Sequence, residues 1–304
     1  MKKLSIIIMM LLISTMVLSG CTNNETTNNN KETNEDNNEN QDQYSWSTMT
    51  QGPYKDKISY ATSTDLLNWV DSENILAEHA SVPGAIYKNN VIYVYFVDVS
   101  VDGIAERIGL ITSDDNGKTW SDRVFIEVDG INDEVPVDPA PFLLDDGRIR
   151  LYYYDINEAR LNPNPNIENK IYSAISSDGI NFVQENICFS EIGVFDPDVI
   201  LVNDVYRMYV GDIEGNNVIS ATSSDGLNFT KEGTALDGGA VPDVFFKENT
   251  YYLYTAGIDI STSQDGATFT KTSYRFESNI NLLTADPSVI ELDDGTYMMF
   301  YKTR

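Results

Sequence analysis

One unit recurs around this chain, opening on a proline-headed apolar strand and closing on a Ser-x-Asp turn. Any fold has to accommodate that repetition first. The unit is plainest in residues 195–229. Asp196-Pro197 opens onto Val199 to Val202, Asn203-Asp204 makes a turn, and a second strand carries Tyr206, Met208 and Val210. A third strand then runs into Ser224-Asp225-Gly226. The opening proline recurs at Pro83, Pro139, Pro197, Pro242 and Pro287, with gaps by subtraction of 56, 58, 45 and 45 residues. The closing aspartate recurs at Asp65, Asp115, Asp178, Asp225 and Asp265, with gaps of 50, 63, 47 and 40. The turn Ser63 to Trp69 stands ahead of the first proline, and Pro287 has no such turn after it. Four complete units and two complementary halves make five. A ring in which the N-terminal half-unit completes the C-terminal one leaves no exposed sheet edge. The expected fold class is all-β, a five-bladed β-propeller over residues 43–304.

The second strand of each unit alternates and is aromatic: Ile92 to Phe96, Ile149 to Tyr154, Val205 to Val210, Tyr251 to Tyr254 and Tyr297 to Tyr301. With 18 Tyr and 12 Phe the chain favours strands, and no segment has the period of an amphipathic helix. Upstream, Met1-Lys2-Lys3, an apolar run from Leu4 to Leu18 and Leu18-Ser19-Gly20-Cys21 read as an export signal of the lipoprotein type over residues 1–21. Cys21 is then the lipidated mature N-terminus. The apolar run is too short for a comfortable membrane span. Residues 22–42 carry no large apolar side chain and read as a disordered tether. The expected location is therefore the cell membrane, lipid-anchored and extracytoplasmic, with the membrane touched only through the lipid. Cys188, the other cysteine, reads as a buried strand residue. The net charge of −27, from 47 acids against 20 bases, excludes a phosphate backbone as partner.

The aspartates fall into two families. Those of the closing turns, with Ser113 to Trp120 matching S-x-D-x-G-x-T-W and Ser176 to Phe182, Ser223 to Phe229 and Ser263 to Phe269 as shorter relatives, read as structural. The carboxylate accepts hydrogen bonds from its own turn, glycine supplies the left-handed residue and the terminal aromatic plugs the blade core. The second family opens the innermost strands: Asp138-Pro139, Asp196-Pro197 and Asp286-Pro287, with Pro242-Asp243 shifted by one. In a propeller these side chains crowd one mouth of the axis, where several carboxylates cannot all ionise at their free values. Such a group serves as general acid and base, or else caps the strands and holds water or a cation. Asp98, Asp155 and Asp212 end second strands and are expected at the same mouth. The segment from Asp155 to Lys170, with Asn162-Pro163-Asn164-Pro165, reads as a pocket rim or a tolerated insertion.

With these motifs the chain resembles the five-bladed propeller glycoside hydrolases of family 43, and its relatives in family 32. The resemblance rests on Ala285 to Ile290, Val137-Asp138-Pro139 and Ser63 to Trp69. It implies Asp286 as general base, by a circular shift, and Asp138 as the residue that tunes the acid. Ser81-Val82-Pro83 is similar to the x-Ala-Pro opening of the intervening blade. The family's general acid is a Glu two residues before a proline; here Phe195 stands there with Asp196 adjacent. Asp196, or Glu191, then replaces the acid, or hydrolysis is lost.

Three functions follow. The first is a surface-tethered hydrolase of arabinosyl, xylosyl or fructosyl linkages using Asp286, Asp138 and Asp196. Asp212, Asp155, Asp98, Asp243 and Phe195 would contact substrate, and Tyr154 or the stretch Tyr44-Ser45-Trp46 could add a sugar platform. The second is a non-catalytic module binding a glycan or a cation. The third is a sialidase, for which the chain has only eight arginines and none at the opening of an innermost strand. No cofactor is expected, with a structural calcium on the axis as the alternative to an empty channel. A glycan is the expected partner, and a monomer the expected state.

Overall fold

The computed structural model describes residues 44–157, 168–212, 215–279 and 283–304. The export signal, Cys21, the tether and the Asn162-Pro163-Asn164-Pro165 run lie outside the described residues. Strands dominate, and they form five sheets around one axis. In chain order, β1 (Lys57–Ser63) and β2 (Val70–Glu78) precede a first blade of β3 (Ala80–Lys88), β4 (Val91–Asp98), β5 (Arg107–Ser113) and β6 (Val124–Phe125). A short strand β7 (Glu127–Asp129) then crosses to the second blade. That blade is β8 (Pro136–Leu143), β9 (Ile149–Asp155), β10 (Glu168–Ser176) and β11 (Asn181–Ile192), and β7 pairs in parallel with its outer strand β11. The third blade is β12 (Val194–Val202), β13 (Val205–Asp212), β14 (Asn217–Ser223) and β15 (Thr230–Leu236). The fourth is β16 (Asp243–Lys247), β17 (Thr250–Thr255), β18 (Asp259–Ser263) and β19 (Thr270–Arg275).

The fifth blade has the order β2-β1-β21-β20, with β20 spanning Thr284–Glu291 and β21 Tyr297–Thr303. Here β1 runs antiparallel to β21 without a register break, from Lys57 opposite Thr303 to Ser63 opposite Tyr297. Segments more than 230 residues apart, Lys57 and Thr303 among them, thus share one hydrophobic layer. Ile58 and Phe300 are fully buried in the cluster that also holds Ile92 and Phe96 of the first blade.

Each closing turn folds as its sequence dictates. In Ser113 to Trp120 the Asp115 carboxylate accepts from the backbone N–H of Lys118 (3.0 Å) and Thr119 (2.9 Å) and from the Thr119 hydroxyl (2.7 Å). Those hydrogen bonds, the Thr119 N–H foremost, hold Asp115 down at about 2. Asp65 is held down to about 2 by the equivalent bonds from Asn68. These acids are held ionised by their own turns.

The terminal aromatic of each turn does more than plug its own blade. Trp69, Phe182, Phe229 and Phe269 pack edge-on against Tyr254, Tyr95, Tyr152 and Tyr209 of the preceding blade, with ring centroids 5.9, 6.2, 6.0 and 5.7 Å apart. Each of these tyrosines lies on the second strand of its blade and reaches into the neighbouring turn. Tyr95 donates to the carbonyl of Gly179 (2.9 Å), Tyr152 to Gly226 (2.8 Å), Tyr209 to Gly266 (2.7 Å) and Tyr254 to Leu66 (2.8 Å). The fifth seam, between the last blade and the first, has Phe300 against Trp120 at 5.7 Å and so no hydroxyl. The repeated turn and the repeated tyrosine are two halves of one inter-blade lock.

Candidate active site at the axial mouth

Proline at each opening disturbs the innermost strand in the same way. The residue before it is left-handed at Val82 (φ 47°), Asp138 (53°), Asp196 (46°), Val241 (48°) and Asp286 (49°). The ladder to the second strand breaks register at this point in the first, second, third and fifth blades. These are bulges, which re-aim a side chain. A left-handed β-branched valine is a true outlier. Its presence at two of the five positions shows that the repeat imposes the conformation and that the side chain does not choose it. Strain held at a shared position points the same five side chains at the axis. Three are aspartates and two are valines.

This alignment corrects the reading of Pro242-Asp243. Val241 occupies the place of the axial aspartates, and Asp243 corresponds to Asp198, one residue after its proline. That next position stitches neighbouring blades together. Asp198 Oδ2 accepts from the Val244 N–H (2.8 Å), Asp243 Oδ2 from the Val289 N–H (3.1 Å) and Ser288 Oγ from the Ala85 N–H (2.9 Å). At Gly84 a Cβ would lie 1.9 Å from the carbonyl oxygen of Pro139, so only glycine lets the first two blades close.

The axial cavity has a volume of about 430 Å³ and is walled by the innermost strands of all five blades. Asp138, Asp196 and Asp286 line it together, as the Asp-Pro motif suggests. Asp196 and Asp286 are 9% and 3% exposed. Asp138 and Asp196, on adjacent blades, hydrogen-bond carboxyl to carboxyl. Burial, then the charges of Asp138 and Asp286, drive Asp196 well above the usual carboxylate range. Asp138 is pushed up to about 6, chiefly by burial and against the hydrogen bond that Asp196 donates. Burial and mutual repulsion raise both carboxyls, Asp196 the further, so that the pair favours holding one proton between them. Asp286 lies on a non-adjacent blade, separated from this pair by Val82 on one side and Val241 on the other, and it is ion-paired to the Lys302 ammonium through Oδ2. Burial acts to lower Lys302, but Asp286 and Asp56 outweigh it and hold the ammonium up at about 12.

Asp56 completes the polar floor beside this pair. It is 1% exposed, accepts from the Ser81 hydroxyl (3.0 Å) and meets Arg304 Nη2 at 2.7 Å. Burial raises its carboxyl, opposed by Lys302 and Arg304. The repeated motifs do not mark Lys302, Asp56 and Arg304, and no charge recurs at the positions matching Lys302 in the other blades. One signal was present: opposite the residue two before the proline, other second strands carry Val97, Tyr154 and Gly211, whereas Ala285 faces Lys302.

The other expected contacts lie elsewhere. Asp98, Asp155, Asp212 and Phe195 line no part of the axial cavity. Asp98 is fully buried against Arg123 (2.5 Å) and accepts from Ser100, and Asp155 accepts from the Val135 (2.8 Å) and Asn157 (3.0 Å) N–H groups. Carboxylates at the ends of second strands serve the local loops, because unpaired backbone donors there outcompete the axis. Asp212 ends β13 paired with Val194 and Asn217. Phe195 covers Gly211, where a Cβ would meet its ring at 2.9 Å. Asp243 does line the cavity, with one oxygen committed to Val289. Glu191 is tied to Lys231 (2.8 Å) on an outer strand. Tyr154 is 3% exposed inside a core cluster, and Trp46 stacks on His79 at 4.0 Å while donating to the Val99 carbonyl at 2.8 Å. Cys188 is buried, 4% exposed, and burial pushes its thiol up to about 11. Among the described residues no group of three or more His, Cys, Asp or Glu side chains is arranged to hold a metal ion.

No protein-family model matches the chain, and no curated protein matches it. Solved structures do. A family 32 β-fructofuranosidase of Bombyx mori superposes with a TM-score of 0.56 at 15% identity, over 72% of this chain and 54% of that one, so the likeness spans about half of the insect protein. An endo-1,4-β-xylanase of Bacteroides thetaiotaomicron gives 0.57 at 18% identity over 72% of this chain and 82% of that one. A family 43 enzyme of Xanthomonas citri, solved with xylotriose, gives 0.54 at 15% identity over 73% and 80%. What this chain shares with these proteins is the fold, the five-bladed β-propeller of the glycoside hydrolases of families 32 and 43.

Proposed function

We propose that this protein is an exported, lipid-anchored glycoside hydrolase acting on arabinosyl, xylosyl or fructosyl-type linkages. The observation that carries the reading is the division of labour among the axial acids. One protonated carboxyl, Asp196, is backed by Asp138, and one ion-paired carboxylate, Asp286, lines the same cavity from a non-adjacent blade. Two carboxyls in opposite protonation states are what glycosidic cleavage requires. Asp196 would give its proton to the leaving oxygen, Asp138 would tune it, and solvent would return to Asp196 the proton that the base takes up. Asp286 would take the proton of the attacking water. A protein of similar fold, the Xanthomonas enzyme, was solved in complex with a glycan, xylotriose.

A second reading, a glycan-binding module without turnover, is favoured by one observation: Phe195 fills the family's acid position and packs on Gly211. Aryl-glycoside and oligosaccharide panels separate the two. Under the hydrolase reading the wild type turns over at least one pentosyl or fructosyl substrate. Asp286→Asn then lowers kcat by 10²–10⁴, typical of losing a general base, with glycan binding retained. Binding without turnover by the wild type gives the module. The anchor is supported by Leu18-Ser19-Gly20-Cys21; mass spectrometry of the mature protein is expected to find a diacylglycerol on Cys21, and an unmodified cysteine removes the anchor from the proposal.

A further inference from the structure

Lys302 stands out in the ring because its four counterparts carry no charge. At the matching position of the other second strands stand Val97, Tyr154, Gly211 and Ala256, each two residues beyond an aromatic of the inter-blade lock. Lys302 lies on β21 between β20 and β1, paired with Ala285 on one side and Ile58 on the other. Its neighbour on β20 is therefore the residue immediately before Asp286. Side chains alternate along a strand, so Lys302 and Arg304 share a face, while Thr303 turns away and donates to the Leu283 carbonyl at 2.9 Å. Lys302 meets Asp286, and Arg304 meets Asp56. The side chain of Lys302 is 19% exposed and that of Asp286 only 4%, so water screens the pair weakly.

We propose that Lys302 is a positioning residue for Asp286, holding that carboxylate ionised and fixed in orientation across the cavity from Asp196 and Asp138. This rests on the functional reading above for its catalytic meaning, but not for its electrostatic content. Without the ammonium, Asp286 would be a third acid facing Asp138 and Asp196, with Asp56 behind it, and among the described residues the other cation beside Asp56, Arg304, is committed to Asp56. Like charges at such a site drive protonation. A base that takes up a proton cannot activate water, so the lysine decides which of the three axial acids stays available for that step.

The test uses the full chain with ¹³C-labelled aspartate carboxyls, the Asp286 signal being assigned by its loss in Asp286→Asn. In Lys302→Met the Asp286 titration midpoint is expected to rise by about 1–3 units, the usual effect of removing an opposite charge at this range, and in Lys302→Arg to stay near wild type. An unchanged midpoint in folded Lys302→Met overturns the proposal. Should that variant fail to fold, the reciprocal measurement decides: the ¹⁵N titration of the Lys302 ammonium moves down by a similar amount in Asp286→Asn, and no movement overturns the proposal equally. Where the wild type turns over a glycoside, the acid limb of kcat/KM moves to higher pH in Lys302→Met and returns in Lys302→Arg; a limb that stays put counts against it. A wild type without turnover removes the hydrolase reading alone, and the two titrations still judge the pair.

Discussion

Asp198 is half-buried in the channel wall with a short bond from the Val244 N–H, and desolvation pushes its carboxyl up to about 7. A raised acid binds its proton more tightly in the folded chain than in the unfolded one. The stabilisation is complete below the unfolded value of 3.8 and is lost as pH climbs through about 7. Asp198→Asn keeps a carbonyl oxygen for Val244 and has no proton to lose. Its stability relative to wild type is therefore expected to improve between pH 4 and 8, by roughly 3 kcal/mol at most, in urea melts at each pH. A difference that stays flat across that range would show that Asp198 does not titrate there. At this scale the sequence was legible where a motif recurs. Asp138, Asp196 and Asp286 were marked by their prolines, and the crowding argument anticipates a raised carboxyl among them. Asp98 and Asp155 were misplaced because a strand-end carboxylate looks the same whether it faces an axis or its own loop. Lys302 was invisible because its role depends on the blade that chain closure builds around it.

The inter-blade lock belongs to the element scale. The carbonyl of Gly266 is paired by the Tyr209 hydroxyl at 2.7 Å in a buried seam. Tyr209→Phe keeps the edge-on packing on Phe269 and leaves that carbonyl without its donor, which is expected to cost about 1–3 kcal/mol. The fifth seam offers the converse. Phe300 holds the same place against Trp120 that Tyr209 holds against Phe269, at the same 5.7 Å centroid distance. Phe300→Tyr places a hydroxyl toward the turn of Gly117 and is expected to raise stability by about 1 kcal/mol. Thermal unfolding of both variants checks the pair; a destabilised Phe300→Tyr would mean that Met298, packed under Gly117, leaves no room for the oxygen. The sequence displays both halves of this lock, the tyrosines and the turns, but their partnership crosses from one repeat to the next. Reading each repeat as self-contained puts the aromatic inside its own blade and misses its second contact, one sheet away.

At the scale of the whole molecule, four complete repeats and two complementary ends were enough to foresee the all-β ring, because hydrophobic sheets of this kind have few other ways to bury both faces. Length and repeat spacing carry that information; the shape of the central space, and which acids share it, depends on bulge geometry that no spacing encodes. The net charge of −27 repels itself at low ionic strength, so added salt is expected to raise the melting temperature of the chain by a few degrees; a fall on adding salt would show that attractive ion pairs such as Arg304–Asp56 dominate instead. One further consequence belongs to β1. During synthesis this strand emerges early, and its partner β21 follows only after some 230 intervening residues, since Ser63 meets Tyr297. Until then β1 is paired on one side with β2 and open on the other, and the fifth blade closes only when β21 reaches that open edge. Such distant pairing makes for slow maturation and hands a chaperone, or an aggregate, its longest opportunity at that single open rim.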